Sequence, residues 1–271
     1  MCRTCNRIKS DRLIPAGTPF TAETAKQWPT WNIVWDALVA RGYRLIAFDQ
    51  RGHGRSTLGA AGMGSESMAA DYAAVLEHLR VRNGVLVGHS MGGFVAIRAV
   101  LDHPELARRL RGLVLASSWA GRMYDGAPQN RLGMPLVKIG VWQRLMRTKT
   151  GGVLLGAPYF GKRPSPAMIS VQRESYAQHL QHGGSLLPMM EAAVREDRYP
   201  RLAEITVPTV VVVGSADLAT PPRHSRWLAD GIPGARLITV SDAGHMLNWE
   251  GADELVEVIE SLAAQRDGSE R

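Results

Sequence analysis

Five short runs of consecutive apolar or β-branched residues, set apart by stretches of helical periodicity, constrain this chain more than anything else in it. They are Leu45 to Phe48, Val85 to Val87, Leu113 to Ala116, Thr209 to Val213 and Leu237 to Val240. A strand with one face in water alternates apolar and polar residues. A strand that is apolar throughout is buried on both faces, and such strands belong to parallel sheets covered by helices. The stretches between supply those helices. Trp31, Val34, Trp35 and Leu38 share one helical face, ended by Gly42. Tyr72, Val75, Leu76 and Leu79 share a second. A third helix runs from Met91 to about His103, before Pro104. Arg223 to Asp230 reads as helical, and Leu255, Ile259 and Leu262 mark the last helix. The expected fold class is α/β: a mainly parallel sheet flanked by helices.

Composition sets the limits of that fold. With 271 residues, 45% of them hydrophobic, the chain can bury roughly 75% of its unfolded surface, enough for one sizeable core. No stretch approaches the ~18 uncharged apolar residues of a membrane span. The first twenty residues hold three Arg and one Lys and no apolar run, unlike a secretory signal. The two cysteines, Cys2 and Cys5, cannot build a disulfide framework, so a cytoplasmic setting is expected. One C-x-x-C without a second pair or histidines is weak for zinc, and no metal is expected. Of the net charge of +7, most lies in segment 122–200, with 11 Lys/Arg against 5 Asp/Glu. That excess reads as a solvated surface rather than an anion-binding or membrane-binding face. No basic run is interleaved with aromatics, so a nucleic-acid partner is not expected. The oligomeric state is not readable.

Segment 122–200 breaks the alternation. It carries six of the eleven methionines, several Gly and Pro, and helical stretches. The expected organisation is an irregular segment 1–27, an α/β core formed by 28–121 and 201–271, and a helical insertion at 122–200.

In parallel sheets, sites lie beyond the carboxyl ends of the strands. That rule selects Asp49, Ser90, Ser117, Asp217 and His245. Ser90 sits in Gly88-His89-Ser90-Met91-Gly92, a G-x-S-x-G between an apolar strand and a helix. A serine on so tight a turn needs small residues two before and two after it, here Gly88 and Gly92, while Gly93 lets the helix approach the sheet. The hydroxyl is pushed out of the sheet top, and the helix N-terminus favours developing negative charge. A serine needs a base to act as a nucleophile. His245, after the last strand, is the best of the eight histidines. His89 is expected to point away from the serine. His53, His78, His103, His179, His182 and His224 read as surface residues. The base needs a carboxylate to hold its tautomer. Asp217 ends the preceding strand; Asp242 is a rival, discounted as too close in chain to His245.

The stretches DQRGHGRS, VLVGHSMGG, VVVGSADLATPP and DAGHMLNWE, with the order Ser90, Asp217, His245, resemble the α/β-hydrolase family of esterase, lipase and perhydrolase type. The resemblance runs from about Trp31 to the C-terminus. It implies a Ser-Asp-His triad, a lid where 122–200 stands, an oxyanion donor at the Met91 N–H, and no cofactor. A serine nucleophile argues against the similar haloalkane dehalogenases and epoxide hydrolases, which use aspartate. Met123, Met134, Trp142, Met146, Tyr159, Phe160, Met189 and Met190 lie in the lid segment. They either line an apolar acyl pocket, with Trp142, Met146, Tyr159 and Met189 as substrate contacts, or form the lid's own core.

The chain departs from the family ahead of Trp31. The family places a third strand there, running into a His-Gly loop that gives a second oxyanion donor. Residues 1–27 hold no continuous apolar run and no His-Gly pair. Such a start is expected of a truncated or out-of-frame reading, and without the third strand either Leu45–Phe48 and Val85–Val87 pair directly or a sheet edge stays open. Gln27, Trp28 and Thr30 are the positions from which a substitute donor could come. The expected function is a serine hydrolase acting on an apolar ester or related small-molecule acyl substrate. The alternatives are a non-catalytic or disabled hydrolase-fold protein and a cofactor-free perhydrolase.

Overall fold

A computed structural model describes residues 30–53, 56–123, 125, 135–136, 139–146, 148–156, 159–161, 168–171 and 187–264. The expectation for residues 1–27 lies outside them. Helix α1 (Asn32–Ala40) is followed by α2 (Ser65–His78), strand β1 (Gly84–His89), α3 (Met91–Asp102), the single turn α4 (Pro104–Ala107) and β2 (Leu110–Ala116). Helices α5 (Val141–Met146), α6 (Lys149–Gly156) and α7 (Leu187–Arg195) fall between β2 and β3 (Thr209–Gly214). Then come α8 (Pro222–Gly231), β4 (Arg236–Val240), the short α9 (Leu247–Glu250) and α10 (Ala252–Ala263).

The described strands form one parallel sheet in the order β1-β2-β3-β4. Consecutive side chains of a strand face opposite sides, and both sides of the central β2 and β3 are filled, while Val85 to Val87 of β1 are half-buried and Leu237 of β4 is exposed. Leu113, Leu115 and Val211 pack with residues of α2, α3, α4 and α8, while Val114, Ala116, Val210 and Val212 pack with α1, α9 and α10. This is the two-sided burial that continuous apolar runs require. The register pairs His89 with Ala116, Ala116 with Val212, and Gly214 with Val240. All four strands therefore end at one rim. The ladder runs one residue further there, with Ser90 N–H donating to Ala116 O at 2.9 Å and Ser117 N–H to Val212 O at 2.8 Å.

The expected strand at Leu45–Phe48 makes no ladder. Residues 43–50 have no assigned secondary structure, and among the described residues β1 pairs with β2 alone. An apolar run becomes a strand only beside another strand that accepts its hydrogen bonds. Leu45 packs instead against the core on the α1 side and Phe48 against the other.

The chain leaves and rejoins the sheet layer through a narrow neck. Gly121 and Asp197 form an isolated antiparallel bridge, and Arg198 N–H donates to Ala120 O at 2.8 Å. The buried Arg198 guanidinium lies 4.1 Å over the Phe94 ring, pairs with Glu196 and donates to Ser65 Oγ at 3.0 Å. Arg98 reaches the same Glu196 carboxylate at 3.2 Å. The neck is thereby fastened to α2 and α3. Among the described residues, no helix is long and apolar enough to cross a membrane.

Candidate active site

Ser90 follows β1 with φ 54° and ψ −123°, a conformation that costs a non-glycine residue of order 1–3 kcal/mol and must be held by its surroundings. Its carbonyl accepts from Gly93 N–H at 3.0 Å and from the Ser118 hydroxyl at 2.9 Å. The close approach falls between Gly88 and Gly93: a Cβ on Gly88 would lie 2.5 Å from Gly93 Cα. Gly92, expected to be the tight neighbour, has room, since its nearest contact would be the Tyr72 hydroxyl at 3.7 Å. The turn is thus closed by the pair two before and three after the serine. It brings Ser90 to the wall of a cavity of about 760 Å³, with the first amides of α3 beside it. The N–H groups of a helix's first turn have no intrahelical acceptor, and that of Met91 is the nearest in sequence to the hydroxyl.

His245 joins the strand ends. Its Nε2 lies 2.8 Å from Ser90 Oγ and its Nδ1 3.0 Å from Asp217 Oδ2. Asp217 is fully buried as a side chain, and burial works against its charge. The charge of His245, with hydrogen bonds from His245 and from the backbone and hydroxyl of Thr220, outweighs burial and holds the carboxyl below its ordinary range. Asp217 Oδ1 accepts the N–H groups of Ala219 at 2.9 Å and Thr220 at 2.8 Å. The Thr220 hydroxyl stands 2.8 Å from Oδ2 and 2.9 Å from Ser117 O. Asp242 is exposed, and its N–H donates to Ser215 Oγ at 2.9 Å. The structure thus sets Asp217, not Asp242, against His245.

Two further histidines matter, and the expectation for one of them needs correcting. His89 is directed to His245 rather than to Ser90: its Nε2–H donates to His245 O at 2.7 Å, with ring centroids 4.9 Å apart. Burial, helped by the neighbouring His245, pushes its pKa down to about 4, so the ring is a neutral donor that holds the backbone of His245. His224 is not at the surface. It is buried, with Nδ1 2.8 Å from the Tyr199 hydroxyl, away from Ser90. The partners His89 and Thr220 were missed by sequence reasoning. Only for Thr220 was there a signal, three residues after an aspartate that ends a strand.

The cavity wall includes Tyr159, Met189, Thr30 and Trp119. Met189 is fully buried and packs with the core beside α2 and α3, whereas the Tyr159 ring meets His245 edge-on at 5.7 Å. The Trp142 and Met146 side chains, Met134, Gln27 and Trp28 lie outside the described residues. Phe160 stacks on Trp249 at 5.9 Å. Gln50 and Arg51 are held against α2, with Arg51 bidentate to Asp71 at 2.6 Å and Gln50 Nε2–H donating to the Tyr72 hydroxyl at 2.7 Å. Among the described residues, no cluster of His, Cys, Asp and Glu could hold a metal ion.

Residues 21–252 match the family model described as alpha/beta hydrolase fold. The AB hydrolase superfamily protein YisY of Bacillus subtilis (strain 168) is 30% identical over 238 residues, 86% of this chain and 84% of that protein. A non-heme chloroperoxidase of Burkholderia pyrrocinia is 31% identical over 204 residues, 72% and 73% of the two chains. Among solved structures, an esterase from Exiguobacterium antarcticum superposes with a TM-score of 0.76 at 25% identity, over 88% of this chain and 87% of its own.

Proposed function

Given that the chain belongs to the alpha/beta hydrolase fold family, we propose that it is a serine hydrolase cleaving an ester or related acyl bond through Ser90, His245 and Asp217. The observation that carries this reading is the His245 ring, with one nitrogen 2.8 Å from a serine hydroxyl and the other 3.0 Å from a buried carboxylate. Ser90 Oγ attacks the acyl carbon while His245 Nε2 takes its proton. Asp217 stabilises the resulting imidazolium without itself being protonated. The Met91 N–H faces the oxyanion. Collapse of the tetrahedral intermediate expels the leaving group, which receives the proton from His245. Water, activated by the same histidine, then releases the acid and restores the serine. Segment 122–200 acts as the lid over the acyl group, with Tyr159 and Met189 on the substrate side. No His-Gly pair precedes Trp31, and a site with one oxyanion donor turns over ~100- to 1000-fold more slowly than one with two.

A second reading is favoured by the relative named a chloroperoxidase. Hydrogen peroxide can replace water in the last step, so that the acyl-enzyme yields a peracid and free serine. Both readings predict the same first test. A fluorophosphonate probe labels the wild-type protein and not Ser90→Ala, and that variant loses turnover of p-nitrophenyl esters while keeping its melting temperature. Turnover retained in Ser90→Ala, or a wild-type serine inert to the probe, overturns the proposal. Peroxide-dependent peracid formation separates the second reading from the first.

A further inference from the structure

We propose that Glu250 is a positioning residue, whose carboxylate ties residues 159–161, from the segment between β2 and β3, to the loop that carries His245. The role rests on the reading of His245 as the general base. One carboxylate oxygen accepts from Gly161 N–H at 2.7 Å and the other from Gly244 N–H at 3.0 Å. The amides belong to different parts of the chain, and one immediately precedes the histidine. The two stretches of backbone touch closely: a Cβ on Gly161 would collide with the backbone of Asp242 and Ala243, and one on Gly244 with that of Phe160 and Gly161. His245 N–H in turn donates to Tyr159 O at 2.7 Å. Around this contact Phe160, Met246 and Trp249 form a small buried cluster of their own. Seen from the histidine, its backbone N–H is held by residue 159, its carbonyl by His89, and the preceding amide by Glu250. Its ring is placed by what grips its backbone. One of those three holds comes directly from the segment between β2 and β3, and Glu250 fastens that segment.

Ionised, the carboxylate accepts both N–H groups. A glutamine would keep one acceptor and turn an NH₂ toward the other donor, and an alanine would keep neither. Glu250→Gln and Glu250→Ala are to be compared with wild type by amide hydrogen exchange at Gly161 and Gly244 and by kcat and KM on a p-nitrophenyl ester. Glu257→Gln, on the exposed side of α10, serves as control. Exchange at both glycines is expected to quicken in Glu250→Ala, and in Glu250→Gln at one of them. kcat should fall on the order of 10- to 100-fold in the alanine variant, as a misplaced catalytic group costs. The glutamine variant should lie between, with KM little changed in both. Wild-type exchange at both glycines in a folded Glu250→Ala overturns the tie. Faster exchange with an unchanged kcat overturns the positioning role. Failure of the hydrolase reading shows separately, as turnover that survives Ser90→Ala, and the exchange measurement still decides the tie.

Discussion

Thr220 turns its hydroxyl onto the carboxylate that also meets the His245 ring. Asp217 is therefore stabilised in its charged form by donors from its own loop. A carboxyl whose folded pKa is depressed contributes stability above its unfolded pKa of about 3.9 and loses it as pH falls through the folded value. Thr220→Val removes one donor, so Asp217 moves back up toward its ordinary range and its acid loss begins at higher pH. The variant should be less stable by about 1.5–3 kcal/mol at neutral pH, with the gap closing once Asp217 is protonated in both proteins. Urea unfolding at a series of pH values measures this. A gap that stays constant into acid would mean that the hydroxyl does not support the charge. Ser90, Asp217 and His245 could be picked from the sequence because each is a reactive type at the end of an apolar run. His89 could not, since its partner is a backbone carbonyl 156 positions away. Nor could the burial of His224, which depends on Tyr199 reaching it from the neck.

Helices and buried strands were largely legible in the sequence: α1, α2 and α10 stand where the apolar faces put them, and α3 and α8 cover the segments after Ser90 and at Arg223–Asp230 that read as helical. The exception, Leu45–Phe48, shows that a strand is a property of two segments: the run is apolar enough, but the described residues give it no neighbour to pair with. The neck was also invisible, because its fastening is polar. There the buried Arg198, its pKa lowered to about 10 chiefly by burial, depends on Glu196, which it shares with Arg98. Removing one partner of a buried pair strands a charge and costs ~3–5 kcal/mol. Glu196 is partly exposed, so Glu196→Ala should cost about 2–3 kcal/mol, below that range. Arg198→Met should cost less, since it removes the buried charge and leaves Glu196 with Arg98. Denaturant midpoints decide the order, and an Arg198→Met variant less stable than Glu196→Ala would reverse the argument.

Across the whole molecule, the site opens into a cavity of about 760 Å³ whose wall includes Ser90 and His245 together with Val85, Val87 and Val34. A chamber of that size and lining suits an extended apolar group. If the acyl chain lies there, each methylene buried adds ~0.8 kcal/mol, or about fourfold in kcat/KM, until the space is filled. A graded series of p-nitrophenyl esters should therefore rise steeply from acetate before levelling; a flat or falling series would place the acyl group elsewhere. The neck has a consequence of another kind. Because Gly121 and Asp197 already meet, the chain between them is a closed excursion, and lengthening such a loop costs only logarithmically. Among the described residues no ladder hydrogen bond of the sheet lies within it, yet Met123, Tyr159, Met189 and Ala193 of the cavity wall do. Insertions, deletions and drift in that excursion can redraw what the chamber admits while leaving the sheet unaltered. Heredity can thus vary selectivity within that excursion without touching the register of the sheet, so long as it spares the few positions, Tyr159, Gly161, Met189 and Glu196, that the core and the His245 loop lean on.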